Sequence, residues 1–279
     1  MKETQASKAK KFQALHQRSG AFVIPNPWDV GTARMLAGLG FEALATTSGG
    51  LAISLGLRDG EGVVTRDTAL AHARALVDAS DLPVSADLEN GYGDAPETVA
   101  ETVRLAAAAG LVGCSIEDAT GDRARPIYDK SLAVERVIAA VEAARSLPFP
   151  FVLTARAENF LRGRPVLDDT IERLQAFEAA GADVLYAPNL PDIASIRSAC
   201  GAVAKPVNVM VGAKGQCFSV AELTAVGVRR VSLGPTFFRA AMGAFLQAAR
   251  EVKAQGTFTF AEGAVGFGEL NALMAGKGV

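Results

Sequence analysis

The chain is poor in cysteine, histidine and tryptophan. Its 279 residues include three cysteines, two histidines and one tryptophan. Cys114, Cys200 and Cys217 lie far apart without a Cys-x-x-Cys spacing, which argues against a disulfide framework and fits a reducing cytoplasm. His16 and His72 fall in helical segments and are interpreted as surface or packing residues. No Ser/His/Asp set can therefore be built with its members at the ends of strands.

An excess of charge of one sign and long apolar runs are also missing. The 28 Lys and Arg residues nearly balance the 30 Asp and Glu residues, and no basic stripe or acidic block indicates nucleic acid or a membrane surface as a partner. The polar, lysine-rich segment 1–18 lacks the apolar stretch of a signal peptide, and no apolar run is long enough to span a bilayer. These absences predict a soluble, cytoplasmic protein.

Short apolar runs alternate with helical segments along almost the whole chain. The predicted strands are 21–25, 42–46, 83–87, 112–117, 151–156, 183–187, 206–210 and 229–234. The predicted helices lie near 30–39, 66–79, from 95 onwards, 133–145, 167–180, 193–199, 220–226 and 237–253, and a long glycine-rich loop follows the second strand. Four of these helices close on a glycine, which suits a left-handed cap, at Gly40, Gly110, Gly181 and Gly227.

The strands read as continuous apolar runs, as expected for a parallel sheet that is buried on both faces. Eight strand–helix units most economically close into a (β/α)8 barrel of the TIM type, formed by a single domain over 1–279. An open doubly wound sheet is less favoured, because no G-x-G-x-x-G follows the first strand. The apolar tail, about 255–279, falls outside the eight units and is expected to dock on this chain or on a partner subunit.

Carboxylates collect where the third and fourth strands end. Asp87 and Glu89 follow one apolar run, and Glu117 and Asp118 follow the next. If the two strands are parallel neighbours, Asp87 and Glu117 lie about one strand spacing apart, roughly 4.8 Å. Carboxylates that close repel each other unless a positive charge sits between them, and Mg²⁺ prefers oxygen ligands. The pattern therefore predicts a magnesium site, although Mn²⁺ would accept the same ligands.

Other strands end in polar residues that would meet at the same mouth of a barrel, where chemistry is found in this fold. They are Thr46-Thr47-Ser48-Gly49-Gly50 after strand two with Arg58-Asp59 in its loop, Arg156 with Glu158 and Asn159 after strand five, and Asn208 on strand seven. The glycines suggest a backbone that an anionic ligand can approach closely. Arg156 offers a planar fork to a substrate carboxylate, whereas Asp118 and Asn159 are interpreted as turn formers or helix caps.

The chain resembles the isocitrate lyase/phosphoenolpyruvate mutase superfamily over about residues 12–255. The resemblance rests on the order and spacing of five motifs: Asn26-Pro27-Trp28-Asp29; Ser48-Gly49-Gly50 with Leu55-Gly56-Leu57-Arg58-Asp59; Asp87-Leu88-Glu89-Asn90-Gly91-Tyr92-Gly93; Ile116-Glu117-Asp118; and Thr154-Ala155-Arg156. It implies a (β/α)8 barrel with a C-terminal helix swapped between subunits of a homo-oligomer, a tetramer or a dimer. It also implies Mg²⁺-dependent cleavage through a metal-bound enolate of the pyruvate type.

The resemblance also implies roles for individual residues. Asp87 would be the direct metal ligand, and Glu89 and Glu117 would hold metal-bound waters. The implied catalytic residues are Asp59, which would lie over the metal, with Arg156 and Glu117. The implied substrate-binding residues are Trp28, Thr47, Ser48, Gly49, Gly50, Arg156 and Asn208.

Two departures from the family pattern narrow the activity. The lyases that cleave isocitrate or methylisocitrate carry Lys-Cys-Gly-His soon after the Glu-Asp pair, but segment 119–126 of this chain has no cysteine. The longer loop of the phosphonate enzymes is also missing. The short loop suits a decarboxylase or a retro-aldol lyase of a small dicarboxylate, with Arg123 or Arg125 either binding the second carboxylate or simply solvated.

The favoured hypothesis is therefore that the protein is a Mg²⁺-dependent carbon–carbon lyase or decarboxylase that acts on a small 2-oxo or 2-hydroxy dicarboxylic acid. The alternatives are phosphonopyruvate or phosphoenolpyruvate chemistry, as in a mutase or hydrolase, and a catalytically lapsed protein that binds Mg²⁺ and an oxo acid. A Schiff-base aldolase is the remaining alternative, but Lys130 and Lys214 are both in loops, where catalytic lysines of barrels are unusual.

Overall fold

The computed structural model describes residues 3–212 and 217–275 and contains, within them, eight parallel strands in one sheet. The strands are β1 Phe22–Ile24, β2 Leu44–Ala45, β3 Val84–Asp87, β4 Gly113–Glu117, β5 Val152–Arg156, β6 Val184–Tyr186, β7 Val207–Met210 and β8 Arg230–Ser232. Their spatial order is β1-β8-β7-β6-β5-β4-β3-β2. The Ala45 N–H donates to the Pro25 carbonyl across 3.0 Å and links β2 back to β1. The sheet thus closes into a nearly complete barrel, and the predicted (β/α)8 fold is confirmed.

Helices follow the strands and cover the outside of the barrel. They are α1 Gln5–Gln17, α2 Val30–Gly38, α3 Ser48–Ser54, α4 Arg66–Ala79, α5 Pro96–Ala108, α6 Lys130–Arg145, α7 Leu167–Ala179, α8 Ile193–Gly201, α9 Val220–Ala225, α10 Thr236–Gln255 and α11 Phe267–Met274, with a 3₁₀ helix at Thr259–Gly263. The predicted glycine caps are confirmed, because all four adopt positive φ: Gly40 84°, Gly110 91°, Gly181 97° and Gly227 103°. None of the helices in the described ranges is both long and apolar enough to cross a membrane.

Helix α1 closes the N-terminal end of the barrel. Phe12 is fully buried and packs with side chains at the starts of the strands, including Phe22 and Val112. The ring of His16 lies edge-on between Phe12 and Phe22, with ring centroids 4.8 and 5.0 Å away. His16 is thus a packing residue, not a surface residue. The opposite end of the barrel, where the strands finish, carries the loops that can form a site.

The segment after β2 corrects the sequence analysis, because it is not a long loop throughout. Its first part forms the helix α3, whose N-cap is Thr47; the Thr47 hydroxyl accepts a hydrogen bond from the Gly50 N–H at 3.3 Å. Leu51 and Ala52 are buried and anchor the helix. The helix forms although it begins with glycines, because the cap and this burial offset their low helix propensity.

The C-terminal tail docks in part on its own chain. Helix α11 packs against α2, with Leu273 buried and in contact with Gly38. By contrast, Phe245, Phe258 and Phe267 are 63%, 65% and 84% exposed. Helix α10 and the tail therefore carry aromatic side chains that this chain leaves largely exposed.

Candidate active site

A cavity of about 210 Å³ opens at the C-terminal ends of the strands. Drug-sized ligands usually occupy roughly 300–1,000 Å³, so this cavity suits a smaller metabolite. Its wall contains seven of the predicted site residues: Thr47, Ser48, Gly49, Asp59, Asp87, Arg156 and Asn208. The structure therefore brings together residues from β3, β5 and β7 and from the segment that follows β2.

Asp87 lies at the end of β3 with both carboxylate oxygens engaged. Oδ2 accepts a hydrogen bond from the Ser48 hydroxyl at 2.9 Å. Oδ1 accepts from Arg156 Nη1 at 2.9 Å, from the Glu89 N–H at 3.3 Å and from the Ser115 hydroxyl at 3.4 Å. These donors fix the orientation of the carboxylate, and a single arginine contributes the positive charge among them.

Arg156 is buried at the centre of a carboxylate network. Its Nη2 atom lies 3.2 Å from Glu117 and 2.8 Å from Glu158, in addition to the Nη1 contact with Asp87. Burial alone would lower the pKa of Arg156, but Glu158, Glu117 and Asp87 raise it well above its ordinary value. Arg162 adds a second positive charge, because its Nη2 donates to Glu117 at 2.9 Å.

The register of β3 and β4 differs from the simplest expectation. Asp87 pairs with Ser115, and Glu117 lies two residues further along, where its N–H donates to the Glu89 carbonyl at 2.9 Å. Glu117 instead pairs in register with Arg156 on β5. The expected distance of one strand spacing thus separates Asp87 from Ser115. The guanidinium of Arg156 lies between the carboxylates of Asp87 and Glu117.

Glu89 and Glu117 are placed behind the cavity wall rather than in it. Glu89 lines an adjoining pocket with Asn90 and Tyr92 and adopts a left-handed φ of 48°. Burial raises the pKa of Glu89 to about 7, with further contributions from Asp87 and Glu117. Burial, with Glu158, also raises the pKa of Glu117. This accumulation of negative charge favours a bound cation.

Within residues 3–212 and 217–275, no three His, Cys, Asp or Glu side chains are arranged to ligate one ion directly. A cation held at this mouth by Asp87 alone would keep several waters. That arrangement is typical of Mg²⁺, which gives up its water reluctantly. The donor set fits the predicted scheme, in which Asp87 binds directly and Glu89 and Glu117 act through water.

The two glycines at the start of α3 are required by close approaches. A Cβ atom on Gly49 would lie 2.8 Å from Asp59 Oδ2, and one on Gly50 would lie 2.6 Å from Thr47 Cγ2. The first N–H groups of a helix have no acceptor within the helix, so those of Ser48 and Gly49 remain available to an anion beside the cavity. Asp59 faces the same space, and burial together with Asp87 raises its pKa.

Several residues singled out in the sequence lie away from the cavity. The Trp28 ring packs edge-on against Phe238 at 5.4 Å, and Gly50 is buried beneath the cavity wall. Arg123 and Arg125 are exposed, Arg125 pairs with Asp122 at 3.6 Å, and neither arginine lines the cavity. Lys130 pairs with Glu172 on the surface, whereas Lys214 lies outside the described residues.

Asp118 and Asn159 support the site from behind. Asp118 is 3% exposed, pairs with Arg173 Nη1 at 3.0 Å and accepts the Glu158 N–H at 2.8 Å. Asn159 donates from Nδ2 to Asp169 at 2.5 Å. Asp118 is therefore a buried ion-pair partner, and the interpretation as a simple turn former was wrong.

Arg230 on β8 also lines the cavity, and the sequence analysis missed it. Its Nε donates to Asn208 Oδ1 at 2.8 Å, its Nη2 donates to Thr154 Oγ1 at 3.0 Å, and its Nη1 lies 3.3 Å from His16 Nε2. The available signal was a charged residue between Val228 and Val231, inside a strand that should be buried on both faces.

The pairing of His16 with Arg230 predicts an acid-sensitive fold. Burial, and secondarily Arg230, lowers the pKa of His16 from 6.5 to about 3. Between pH 6.5 and about pH 3, His16 is protonated in the unfolded chain but not in the folded chain. The free energy of unfolding therefore falls as the pH falls, by about 1.4 kcal/mol per pH unit. Urea unfolding at pH 7 and pH 5 should show a smaller loss for His16→Gln than for the unmodified protein. Equal losses would contradict this assignment.

Comparisons with known proteins agree with this geometry. The family model described as phosphoenolpyruvate phosphomutase matches residues 12–253. The chain is 32% identical to 2-methylisocitrate lyase of Escherichia coli K12 over 244 residues, covering 84% of this chain and 80% of that protein. A crystal structure from Burkholderia cenocepacia J2315, named only as a lyase/mutase, is 59% identical with a TM-score of 0.94 and covers 97% of this chain and 96% of its own.

A third similar protein is oxaloacetate acetylhydrolase, solved with its product oxalate. It is 26% identical with a TM-score of 0.87, over 98% of this chain and 95% of that chain. These similarities confirm the resemblance and the prediction of a carbon–carbon lyase, and they do not favour phosphonate chemistry or a lapsed binding protein. The chain belongs to the phosphoenolpyruvate mutase family, within the isocitrate lyase/phosphoenolpyruvate mutase superfamily.

Proposed function

We propose that this protein is a Mg²⁺-dependent lyase or decarboxylase that cleaves a carbon–carbon bond in a small 2-oxo or 2-hydroxy dicarboxylic acid. The observation that carries the proposal is the position of Asp87. Its carboxylate faces a small cavity together with Ser48 and Arg156, with two further acids close behind. The site thus combines a cation-binding carboxylate with donors for an anionic substrate.

In this proposal Asp87 would bind the metal directly, and Glu89 and Glu117 would hold it through water. Mn²⁺ is an acceptable substitute, because it takes the same oxygen ligands. The bound metal supplies Lewis-acid stabilisation of negative charge on the substrate's C2 oxygen. It also compensates the like charges that raise the pKa of Glu89.

The chain's own residues position the substrate and move a proton. The Ser48 and Gly49 N–H groups and the second N–H of Arg156 Nη1 receive one carboxylate, so that the bond to be broken stands perpendicular to the forming enolate. In a 2-oxo acid, the electron pair of the breaking bond forms the C2=C3 double bond and the carbonyl pair moves onto the C2 oxygen, which gives a pyruvate-type enolate. In a 2-hydroxy acid, the C2 hydroxyl gives up its proton as the C2–C3 bond breaks, so C2 becomes the carbonyl carbon of the 2-oxo acid product, and the electron pair remains on C3, where a proton is added. We assign the proton transfer at C3 to Asp59, because this carboxyl group faces the cavity and has a raised pKa.

No cysteine thiol lines the cavity among the residues that the structure describes. Cys114 is fully buried in β4, and burial raises the pKa of its thiol, whereas Ser115 is the β4 residue in the cavity wall. Cys200 and Cys217 are free thiols in other parts of the molecule. Among the described residues, none of the three cysteines lines the cavity, so we favour substrates whose cleavage needs no protonation by a thiol, such as oxaloacetate or a substituted malate.

The deciding experiment is pyruvate release by the purified protein with Mg²⁺ or with EDTA. The panel contains oxaloacetate, methylisocitrate, 2,3-dimethylmalate and phosphonopyruvate, each corrected for the background that the metal causes without protein. We expect release from one carbon–carbon substrate, abolished by EDTA and restored by Mg²⁺ or Mn²⁺. Release that survives EDTA would contradict the metal's role, and a changed ³¹P spectrum with phosphonopyruvate alone would replace the lyase by phosphonate chemistry.

We also propose that the protein is a cytoplasmic homo-oligomer. Phe245, Phe258 and Phe267 are exposed apolar side chains, which a second subunit would cover, and the free state of Cys114, Cys200 and Cys217 suits a reducing compartment. Light scattering should give two or four times the chain mass of 28.9 kDa. Phe245→Glu should reduce that mass, whereas Glu262→Gln in the exposed tail should not, and a monomeric unmodified protein would contradict the proposal.

A further inference from the structure

Arg230 is a buried cation whose direct contacts are all neutral. Its residue is 6% exposed, and it donates to an amide oxygen of Asn208, a hydroxyl of Thr154 and a ring nitrogen of His16. A buried charge normally has a counter-ion, because taking it out of water is costly. Among the described residues, no carboxylate forms an ion pair with Arg230, whose side-chain contacts are those to Asn208, Thr154 and His16.

The protonation state of His16 confirms that this cluster carries a single positive charge. His16 Nδ1 lies 2.8 Å from the Phe12 carbonyl, which can only accept, so Nδ1 carries the proton. Nε2 is then a free acceptor for the Arg230 Nη1–H. Arg230 therefore remains charged, with a neutral histidine beside it.

The other buried arginines of the described ranges differ from Arg230. Arg156 and Arg173 each contact carboxylates. Arg136 donates to the carbonyls of the loop after β3 and stacks on Tyr128, away from the cavity. Arg230 combines burial, the lack of a carboxylate partner and a position in the cavity wall.

Two N–H groups of Arg230 remain available. A guanidinium has five N–H groups, and three of them serve Asn208, Thr154 and His16. One N–H on each terminal nitrogen has no acceptor among the described residues. Two N–H groups on neighbouring nitrogens are the donor set that a carboxylate accepts.

Arg230 and Arg156 lie at different depths of one cavity. Arg156 occupies the mouth, whereas Arg230 reaches Thr154, two residues earlier on the same strand, and His16 of the helix that closes the far end. Tyr186 lies between the two levels, with the Arg156 guanidinium 5.0 Å from its ring. Two cations at two depths match a ligand with two anionic groups.

We propose that Arg230 binds the second carboxylate of a small dicarboxylate at the floor of the cavity, while the first carboxylate is held at the mouth. This proposal rests on the proposed function and names the group that recognises the distal end of its substrate. It replaces Arg123 and Arg125, which are exposed on the loop after β4. Asn208 is then a positioning residue, because Arg230 Nε fixes its amide and the amide Nδ2 donates to Ser232 at 3.0 Å.

The energetics agree with this role. Burial lowers the pKa of Arg230 to about 10, a value that includes the opposing effect of Tyr186 and the lowering effect of the like charge of Arg156. A bound carboxylate would offset the effects of burial and of Arg156. Charge-assisted hydrogen bonds to such a ligand should favour it over a neutral isostere by about 10- to 100-fold.

The test is calorimetric binding of succinate and of its monoamide, succinamate, at pH 7.5 with Mg²⁺ present. The two probes have the same length and differ in one carboxylate. We expect the unmodified protein to prefer succinate by about 10-fold or more. Arg230→Met should reduce the preference to about threefold or less, and Arg230→Lys should keep part of it, since it retains the charge. Arg229→Met, one residue earlier on the chain, is the matched control and should keep the preference.

Equal binding of the two probes by the unmodified protein, or binding of neither, overturns the proposal without any variant. A folded Arg230→Met protein that keeps the full preference also overturns it, with folding checked by circular dichroism. Turnover is a separate readout. Pyruvate release by a protein that does not prefer succinate over succinamate would overturn the role of Arg230 but not the proposed lyase activity. A preference that depends on Arg230, without pyruvate release from any substrate, would count against the proposed lyase.

Discussion

Asp87→Asn is expected to reduce turnover by about 10²- to 10³-fold, the size typical when one charge-stabilising group is removed from an active site. The amide has nearly the same shape as the carboxylate, so the strand and the cavity should be unchanged. It lacks the negative charge that faces Ser48 and Arg156 and that would bind the metal. Mg²⁺ affinity, measured by calorimetry on the same protein, should fall together with kcat.

A matched control separates this effect from the loss of one acid in general. Asp168→Asn changes an exposed carboxylate in the first turn of α7 and should leave both kcat and Mg²⁺ affinity unchanged. Unchanged turnover in a folded Asp87→Asn protein would show that this carboxylate does not serve the chemistry. Loss of Mg²⁺ affinity with full turnover would show that the reaction does not require the bound metal.

Asp118→Ala is expected to lower the free energy of unfolding by about 3–5 kcal/mol, the usual cost of removing one partner from a buried ion pair. The substitution removes the acceptor of Arg173 Nη1 and of the Glu158 N–H. Arg173 would keep the Tyr128 carbonyl and the partly exposed Asp169, which compensate only in part. Urea unfolding at pH 7.5 measures the loss.

Asp122→Ala is the matched control for this prediction. Its carboxylate lies on the same loop and pairs with Arg125 at 3.6 Å, but both side chains are largely exposed. Exposed pairs contribute little, so we expect a change within about 0.5 kcal/mol. A loss for Asp118→Ala no larger than that of Asp122→Ala would show that the Asp118–Arg173 pair does not hold the loop in place.

The two predictions concern acids at the ends of neighbouring strands. Asp87 and Asp118 both lie at the end of an apolar run, and each has a glutamate within two residues. Side chains alternate between the two faces of a strand, so neighbouring residues at a strand end point to different surroundings. Glu117 turns towards Arg156, whereas Asp118 turns towards Arg173 on α7. Glu117 therefore faces the site, as Asp87 does, whereas Asp118 connects the end of β4 to helix α7 outside the sheet.

The sequence by itself determined the repeated unit and the end of the barrel that carries the site. Continuous apolar runs specify buried parallel strands, and glycines after helices specify left-handed ends, because both depend on local backbone and burial preferences. Polar residues that lie at or after the ends of β2, β3 and β5, or on β7, must meet at one mouth once those strands run in parallel. This local information was sufficient for seven residues of the cavity wall.

The tertiary structure alone decided which charges meet. The register that pairs Asp87 with Ser115 and Glu117 with Arg156 is set by packing between strands, and no feature within either strand specifies it. The contact between His16 and Arg230 joins residues 214 positions apart. Such contacts depend on the closure of the barrel and on the helix that plugs its end. A sequence pattern gives the residue type but not the residue that it contacts. The position of Arg230 as a buried cation at the cavity floor could therefore be recognised only from the fold.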